Sequence, residues 1–254
     1  MKAGRIASLS SAGVAVEVVH ETGSTNADLL ARAASLSAPL LLVAEHQSAG
    51  RGRAGRSWLS SPEGSLTFSL AWRFDGGPQA LSGLPLAIGV ALAETLATLG
   101  QQVTLKWPND LLKDGDKLAG ILVETQSAPG GGIWTVIGIG LNLLMPDEME
   151  ARLGRSAAGV PWLARMERDV LLAALLDGLA AALREFAERG FAAFAARWNR
   201  HHGWQGETVV LLDNGVVRHE GRAAGVDDSG RLLLDTDGGR IAILAGDVSL
   251  RVKG

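Results

Sequence analysis

The chain has 254 residues, of which 47% are apolar, and its formal net charge is −3 at neutral pH. This length suits one large domain, or a medium domain and a small one, with a substantial core. The acidic balance gives no global positive field that would attract nucleic acid or an anionic membrane. Cysteine is absent, which excludes a disulfide framework, a cysteine nucleophile and an enzyme-bound thioester. The five histidines show no metal-ligand spacing.

The first elements in chain order are a strand, a helix and a second strand. Residues 14–19 alternate as a half-buried strand does, and residues 27–34 have the pattern of a helix. Ser24-Thr25-Asn26 lies between them, and Ser24 or Thr25 is a candidate N-cap of that helix. Residues 40–45 form a short apolar strand that leads to Gln47.

An arginine-rich loop follows at residues 50–58. It interleaves three glycines with three arginines and ends in a tryptophan: Gly50, Arg51, Gly52, Arg53, Gly55, Arg56 and Trp58. Glycine lets backbone amides approach an anion, and arginine grips phosphate or carboxylate oxygens. The glycines also match dinucleotide-binding spacing, but that motif must open a helix, and residues 66–72 have a strand pattern instead. We therefore expect a loop that holds an anionic ligand, with a solvated basic loop as the alternative.

The middle of the chain combines an uncharged segment with strands that contain glycine. Residues 76–93 carry no charge, but prolines and glycines interrupt them, so they predict a loop and a buried helix over 85–99 rather than a membrane span. A strand at 103–107 ends in Pro108-Asn109-Asp110. The next strands, 118–125 and 134–142, contain Gly120, Gly138 and Gly140. Such glycines indicate either the close approach of a ligand to the sheet or ordinary bulges.

The C-terminal third contains two helices and then many short strands. Residues 169–188 have apolar residues at helical spacing, with Asp169 as a candidate cap and Gly190 at the end. A second helix is predicted over 191–198. Six short strands follow at 208–212, 216–219, 222–226, 231–235, 240–244 and 248–252, with a hairpin turn at Asn214-Gly215. We predict a small SH3-like β-barrel, and therefore two domains, 1–202 and 203–254.

The polar motifs of the first 142 residues form a set that suits one kind of chemistry. They are Ser24-Thr25-Asn26, Gln47 with the arginine loop, residues 106–110, Lys117 with the following strand, and Asn142. The set has phosphate-binding cations and amide hydrogen-bonders, but no acid–base pair on one helix, no Ser-His-Asp grouping and no metal cluster. It favours a reaction that proceeds by positioning and charge neutralisation, as phosphoryl and adenylyl transfer do.

These motifs together resemble the biotin protein ligases, also called biotin–[acetyl-CoA-carboxylase] ligases. Residues 50–58 and 106–110 are the most specific part of the resemblance, which runs from about residue 14 to the C-terminus. It implies an α+β fold, with a mixed-sheet catalytic domain of the biotin/lipoate ligase type and a C-terminal SH3-like barrel. In this family the biotin carboxylate attacks the α-phosphate of MgATP, giving biotinyl-5′-AMP and pyrophosphate. A lysine of a carboxylase's biotin carboxyl carrier domain then takes the biotin, and AMP leaves.

The resemblance also implies roles for individual residues. Those expected to bind biotin are Ser24, Thr25, Asn26, Gln47, Gly50, Arg51, Trp58, Lys117, Gly120, Leu122, Gly138 and Gly140. Those expected to bind ATP or the adenylate are Arg53, Arg56, Asn109, Asp110, Lys117, Asn142 and Trp198. The catalytic residues are Lys117, Arg51 and Arg53. Lys117 bridges the carboxylate and the α-phosphate, Arg51 offsets the repulsion between the two anions, and Arg53 holds the ATP phosphates. Mg²⁺ is expected with ATP, but its protein ligands are not assigned.

Two departures from the family pattern matter. Members that repress transcription carry an N-terminal helix-turn-helix of some sixty residues, for which there is no room before Ser24. We therefore expect a cytoplasmic ligase that binds neither DNA nor a membrane, with a homodimer as a family-level expectation. Ala54 stands where some relatives have a charged residue, which lowers the charge of the loop.

Three other functions compete with this interpretation. A lipoate–protein ligase shares the fold and chemistry, but the arginine loop and Gln47 match the biotin branch. An octanoyl transferase needs a cysteine acyl carrier, which this chain lacks. A non-catalytic sensor of biotin or nucleotide is disfavoured because Lys117 and all three loop arginines are present.

Overall fold

The protein is described by a computed structural model that covers residues 1–145, 148, 150–151, 156–213, 215–246 and 248–253. Asn214, half of the predicted hairpin turn, lies outside the described residues.

The larger sheet contains seven strands and is mixed. The strands are β1 (Ala15–Thr22), β2 (Leu40–Gln47), β3 (Ser65–Phe74), β4 (Thr104–Lys106), β5 (Asp110–Lys113), β6 (Asp116–Ser127) and β7 (Ile133–Asn142). Their order in the sheet is β1-β2-β3-β7-β6-β5-β4. Strands β1 and β2 are parallel, and every other neighbouring pair is antiparallel. The central strands β3 and β7 are almost wholly buried, as strands covered on both faces must be.

The α-helices that accompany this sheet include α1 (Ala3–Leu9), α2 (Thr25–Arg32), α3 (Leu84–Thr98), α4 (Pro161–Ala164), α5 (Arg168–Arg189) and α6 (Ala192–His201). Helices α3, α5 and α6 pack on one another. Helix α5 begins one residue before the predicted start, and Asp169 accepts a hydrogen bond from the Lys2 amide at 3.2 Å instead of capping the helix. It ends at Gly190, as predicted.

The uncharged segment of the sequence forms part of the core. Pro78–Thr98 is long and apolar enough to cross a membrane by composition alone. In the structure its helical part, α3, has Leu84, Ile88 and Val90 fully buried against the sheet and the other helices. The predicted buried core helix is therefore confirmed.

The smaller sheet is antiparallel and contains five strands: β8 (Thr208–Asp213), β9 (Val216–Val226), β10 (Leu232–Thr236), β11 (Gly239–Ile243) and β12 (Val248–Val252). Their order is β11-β10-β9-β8-β12. The prediction of six short strands was wrong, because residues 216–219 and 222–226 belong to one strand. Gly221 does not reverse the chain there. It stays in register with Val209 of β8, so β9 continues through it.

Hydrogen bonds join the small sheet and its loops to the larger domain. On α6, Asn199 donates to the Val226 carbonyl at 3.0 Å and accepts from the Val226 amide at 2.8 Å. The Trp107 indole, buried after β4, donates to the Gly230 carbonyl at 3.2 Å. These bonds place the small sheet beside the segment 106–110. The predicted boundary between residues 202 and 203 stays a prediction.

Arg197 connects three helices, and its removal gives a test of the helical layer. Its guanidinium binds Glu94 of α3 at 2.5 and 3.0 Å and Glu185 of α5 at 2.8 Å. Hydrogen bonding to Arg197 lowers the pKa of Glu94 below its usual 4.5. We predict that Arg197→Met lowers the free energy of unfolding by about 1–3 kcal/mol at neutral pH.

The difference in unfolding free energy between wild type and Arg197→Met should be present above pH 4.5. It should shrink as the pH falls through the lowered pKa of Glu94, because protonation of Glu94 removes the ion pair. Urea unfolding of both proteins at neutral and acidic pH measures it. Arg200→Met, on the exposed face of the same helix, is the control. An equal loss of stability in Arg197→Met and Arg200→Met would contradict the role of Arg197 in joining the three helices.

Candidate active site

A cavity of about 100 Å³ opens above the centre of the larger sheet. Most of the predicted site residues line it: Ser24, Thr25, Asn26, Gln47, Arg51, Arg53, Arg56, Trp58, Asn109, Lys117, Gly120, Leu122, Gly138 and Gly140. These residues come from α2 and its N-cap, β2, the arginine loop, the turn before β5, β6 and β7, so the fold brings together motifs that are up to 116 residues apart in sequence.

The floor of the cavity consists of glycines that face one another across β6 and β7. Gly120 is paired with Gly140, and Leu122 with Gly138, in a ladder without a register shift. A Cβ atom at Gly138 would overlap the Asn26 side chain, and one at Gly140 would overlap the Trp58 indole. The glycines therefore leave space for side chains that lie directly on the sheet, and the alternative of ordinary bulges does not apply to this pair of strands.

A buried hydrogen-bond network lies at one end of the cavity. The Thr25 amide and hydroxyl both donate to Gln47 Oε1, at 2.8 and 3.0 Å. Ser69 Oγ lies 2.7 Å from Thr25 Oγ1 and donates to Asn26 Oδ1 at 2.6 Å. Asn26 Nδ2 in turn donates to Glu124 at 2.9 Å. Networks of this kind fix the orientation of their members, so the cavity presents hydroxyl and amide groups in set directions.

Sequence reasoning missed Ser69 in this network. It is fully buried on β3, where its neighbours Phe68 and Leu70 are apolar. A small polar side chain inside an otherwise apolar strand was the available signal. Ser24 was predicted both as a helix cap and as a ligand residue. Its hydroxyl accepts a hydrogen bond from the Ala27 amide at 3.4 Å, so it does cap α2, and it also lines the cavity.

The arginine loop folds back on itself over the cavity. The Trp58 amide donates to the Gly50 carbonyl at 2.9 Å, and the Gly52 amide to the Arg56 carbonyl at 2.6 Å. Gly50 does not line the cavity, but a Cβ atom there would lie 2.5 Å from the Trp58 carbonyl oxygen, so the base of the loop requires glycine. Ala54 stands at the tip of the loop in the left-handed region, with φ 53°.

Trp58 and Arg53 connect the loop to its surroundings. The Trp58 ring lies on Gly140 and Gly120, and its buried Nε1 has no acceptor among the described residues. Arg53 donates to Asn109 Oδ1 at 3.0 Å and to the carbonyl oxygen of Gly246 in the small sheet's loop. The loop is therefore held between the larger domain and the small one.

Lys117 and Asp110 form the closest ion pair of the site. Lys117 Nζ lies 2.5 Å from Asp110 Oδ1, and Lys106 Nζ lies 3.6 Å from Oδ2 of the same carboxylate. Burial lowers the pKa of Lys106 to about 8, against the opposing attraction of Asp110. The Lys117 carbonyl accepts hydrogen bonds from Asn142 Nδ2 at 3.3 Å and from the Ala158 amide at 3.0 Å. Two distant segments thus fix the backbone of Lys117.

A second cavity, of about 270 Å³, adjoins the first. Arg53, Arg56, Asn109 and Lys117 line both cavities, so these residues stand at the junction. Asp110, which does not line the first cavity, lines the second.

Two predicted nucleotide-binding residues line neither cavity. Asn142 is buried and supports Lys117 through its carbonyl. Trp198 is almost completely buried on α6, and its ring packs against that of His202 with 4.7 Å between the centroids. The structure gives Trp198 a core position, because it lies on the buried face of α6 with Phe194.

Comparison with known proteins places the chain in a family. Residues 16–143 match the Biotin/lipoate A/B protein ligase family, and residues 206–251 match the Biotin protein ligase C terminal domain. The chain is 37% identical to the biotin--[acetyl-CoA-carboxylase] ligase of Mycobacterium tuberculosis, over 92% of this chain and 88% of that protein. This chain belongs to the biotin protein ligase family.

Two further relatives extend the comparison. The bifunctional ligase/repressor BirA of Escherichia coli is 38% identical over 94% of this chain and 75% of its own length. The structure of biotin protein ligase from Aquifex aeolicus in complex with biotin and ATP has a TM-score of 0.78 and 30% identity, covering 94% of this chain and 99% of that one. The expected family, its α+β fold and a biotin ligase enzyme are confirmed by these matches.

The glycine floor provides a direct test of the site. In Gly138→Ala the new methyl group would displace Asn26, and with it the bond to Ser69, so we predict a rise in the KM for biotin of about tenfold or more with little change in folding. Steady-state kinetics measures it. Gly4→Ala is the control, because a Cβ atom there meets nothing within 4 Å. A KM for biotin that equals the wild-type value would show that Asn26 does not contribute.

Proposed function

We propose that the protein activates biotin with ATP and transfers it to a lysine of a carboxylase's biotin carboxyl carrier domain. The observation that carries the proposal is the position of Lys117, which lines both of the adjoining cavities. A carboxylate and a phosphate are both anions and must approach each other to react. A cation fixed between them offsets that repulsion.

The first cavity suits biotin. The ureido head of biotin is neutral and needs both donors and acceptors, and Thr25, Gln47, Ser69 and Asn26 supply hydroxyl and amide groups held in one network. The glycine strands give an apolar, flat floor for the rings and the valeryl chain. The carboxylate at the end of that chain would then point toward Arg51 and Lys117, which line the same cavity.

In the first step, a carboxylate oxygen of biotin attacks the α-phosphorus of ATP. The bond from that phosphorus to the oxygen bridging it to the β-phosphorus breaks, and pyrophosphate leaves with the electron pair. Lys117 would contact the attacking carboxylate and an α-phosphate oxygen, while Arg53 and Arg56 hold the phosphates. No proton moves in this step, so the site needs cations and positioning rather than a general base.

In the second step, the uncharged amine of the acceptor lysine attacks the carbonyl carbon of biotinyl-5′-AMP. An amide bond forms, the acyl–phosphate bond breaks, and AMP leaves. The proton of the amine passes to Asp110 or to water, since Asp110 is the carboxylate next to Lys117. The arginine loop, closed over the cavity by its own hydrogen bonds, would protect the adenylate from water until the carrier arrives.

Magnesium fits this scheme as part of the ATP substrate. The described residues contain no group of three His, Asp or Glu side chains that could hold a metal ion. An ion carried by the phosphates would therefore take most of its ligands from ATP and water.

The placement of Asn142 and Trp198 near the nucleotide remains an expectation from the family resemblance alone.

The proposal also includes the acceptor protein, the cellular location and the oligomeric state. The relatives named as acetyl-CoA-carboxylase ligases support a carboxylase carrier domain as the acceptor. A cytoplasmic location, a homodimer and the lack of a repressor role stay predictions.

Pyrophosphate release tests the function. Biotin, lipoate and octanoate are compared at equal concentration, each with MgATP and no acceptor protein. Release with biotin alone is the expected result, because the polar network suits a ureido group. Release with lipoate instead would assign the protein to the sister activity. A lack of release with all three would contradict catalysis and leave the sensor function.

Lys117→Ala should slow biotin-dependent pyrophosphate release by about 100-fold or more, because one preorganised cation at the reacting phosphate is lost. Single-turnover kinetics measures it. Lys113→Ala is the matched control, since Lys113 lies on the neighbouring strand β5 and lines neither cavity. A Lys117→Ala rate within a few-fold of wild type would refute the role.

A further inference from the structure

Glu124 lies beside the first cavity without lining it. The residue is half-buried on β6, where it follows Leu122 on the same face of the sheet and pairs with Val136 of β7. Its carboxylate accepts a hydrogen bond from Asn26 Nδ2 at 2.9 Å. Asn26 is buried and does line the cavity. Glu124 can therefore influence a ligand through Asn26 without contacting that ligand.

The partners of Asn26 decide which way its side-chain amide is turned. An ionised carboxylate only accepts hydrogen bonds, so the NH₂ group of Asn26 must face Glu124. The Leu122 carbonyl oxygen is also an acceptor but lies farther from the same nitrogen, at 3.5 Å. On the other side, Asn26 Oδ1 accepts a hydrogen bond from Ser69 Oγ at 2.6 Å. The amide is thus held in one orientation, with its oxygen toward Ser69.

The orientation of Asn26 sets the direction of the hydrogen bonds beyond it. Ser69 has one hydroxyl hydrogen and gives it to Asn26, so it can only accept in its 2.7 Å contact with Thr25 Oγ1. The single hydroxyl hydrogen of Thr25 is then divided between Ser69 Oγ and Gln47 Oε1, 3.0 Å away. Both hydroxyl hydrogens are used inside the network. The oxygens of Thr25 and Asn26 keep free lone pairs, so this chain of residues offers acceptors to a ligand.

A reversed Asn26 amide would present the opposite groups. Its NH₂ group would face Ser69, and the Ser69 hydrogen would go to Thr25. An N–H donor would then stand where an oxygen acceptor stands now. Next to the N–H groups of a ureido ring, this arrangement would leave buried donors unsatisfied, which weakens binding. The Glu124 carboxylate opposes the reversal, because it would then face Asn26 Oδ1, which is another acceptor.

We propose that Glu124 is a positioning residue for biotin. Its carboxylate fixes the Asn26 amide so that oxygen acceptors, rather than N–H donors, meet the ureido N–H groups. The buried network transmits this constraint from β6 to α2. This inference rests on the proposed binding of biotin in the first cavity.

Biotin binding in the absence of ATP tests the positioning role separately from catalysis. Titration calorimetry gives the Kd for biotin. For Glu124→Met, which keeps an unbranched side chain but removes the acceptor, we predict a Kd about tenfold or more above wild type, as for the loss of a hydrogen bond to a charged group. Glu124→Gln should stay within about threefold of wild type, because its Oε1 can accept from Asn26 in place of the carboxylate.

A double-mutant cycle shows whether Glu124 acts through Asn26. Asn26→Ala alone should weaken biotin binding by about tenfold or more. Adding Glu124→Met to Asn26→Ala should then cause less than about a twofold further loss, because the amide that Glu124 orients is already absent. The KM for ATP at saturating biotin should stay within about twofold of wild type in both Glu124 variants, since the constraint concerns the ureido group.

Thr125→Val is the matched control. Thr125 is the next residue on β6, and its exposed side chain projects from the other face of the strand. This variant should bind biotin as wild type does. Thermal unfolding of each variant establishes that it folds.

Four results would overturn the inference. A folded Glu124→Met with the wild-type Kd for biotin would remove the role of Glu124, and a wild-type Kd in Asn26→Ala would remove the residue through which it acts. Losses that multiply in the double variant would mean that Glu124 acts independently of Asn26. A Glu124→Gln that binds as weakly as Glu124→Met would show that accepting from Asn26 is not what matters. Wild-type protein that binds no biotin would instead refute the proposed function, which is a separate outcome.

Discussion

The alignment of glycines across β6 and β7 is the constraint on which the rest of the site depends. Gly120 opposite Gly140, and Gly138 opposite Leu122, leave the sheet surface without Cβ atoms at three central positions. Asn26 and the Trp58 indole lie in the space that this creates. A shift of one residue in this register would turn side chains into the cavity floor and remove the site. The ordinary pairing of two antiparallel strands thus determines where a ligand can lie.

The polar groups above that floor are of two kinds. Thr25, Gln47 and Ser69 are neutral and hydrogen-bonded to one another, whereas the arginines of the loop and Lys117 bring positive charge to the same cavity. Lys117 lines both cavities, and Asn142 and the Ala158 amide hold its backbone. The small domain also contributes to the site, because Arg251 and the Gly246 carbonyl complete the second cavity and hold the arginine loop.

Local patterns were enough to predict much of this arrangement. Each of three segments has a composition that few other structures require. They are the arginine loop, the apolar helix α3 and the glycines of β6 and β7. What could not be predicted arises from contacts between distant segments. The support of Lys117 by Asn142, the core position of Trp198 and the four-residue strand β5 depend on tertiary packing, which a single short segment does not encode. The two predicted strands that merge into β9 are separated in sequence by Glu220-Gly221, and in the structure the strand continues through this glycine.

The central claim is that Lys117 joins two substrate cavities at the reacting phosphate. A crystal structure with biotin and an ATP analogue whose α,β-bridging oxygen is replaced by methylene tests it most directly. We expect the ureido group at Thr25 and Gln47, the α-phosphate within hydrogen-bond distance of Lys117 Nζ, and the β- and γ-phosphates beside Arg53 and Arg56. A triphosphate that lies away from Lys117 would contradict this claim.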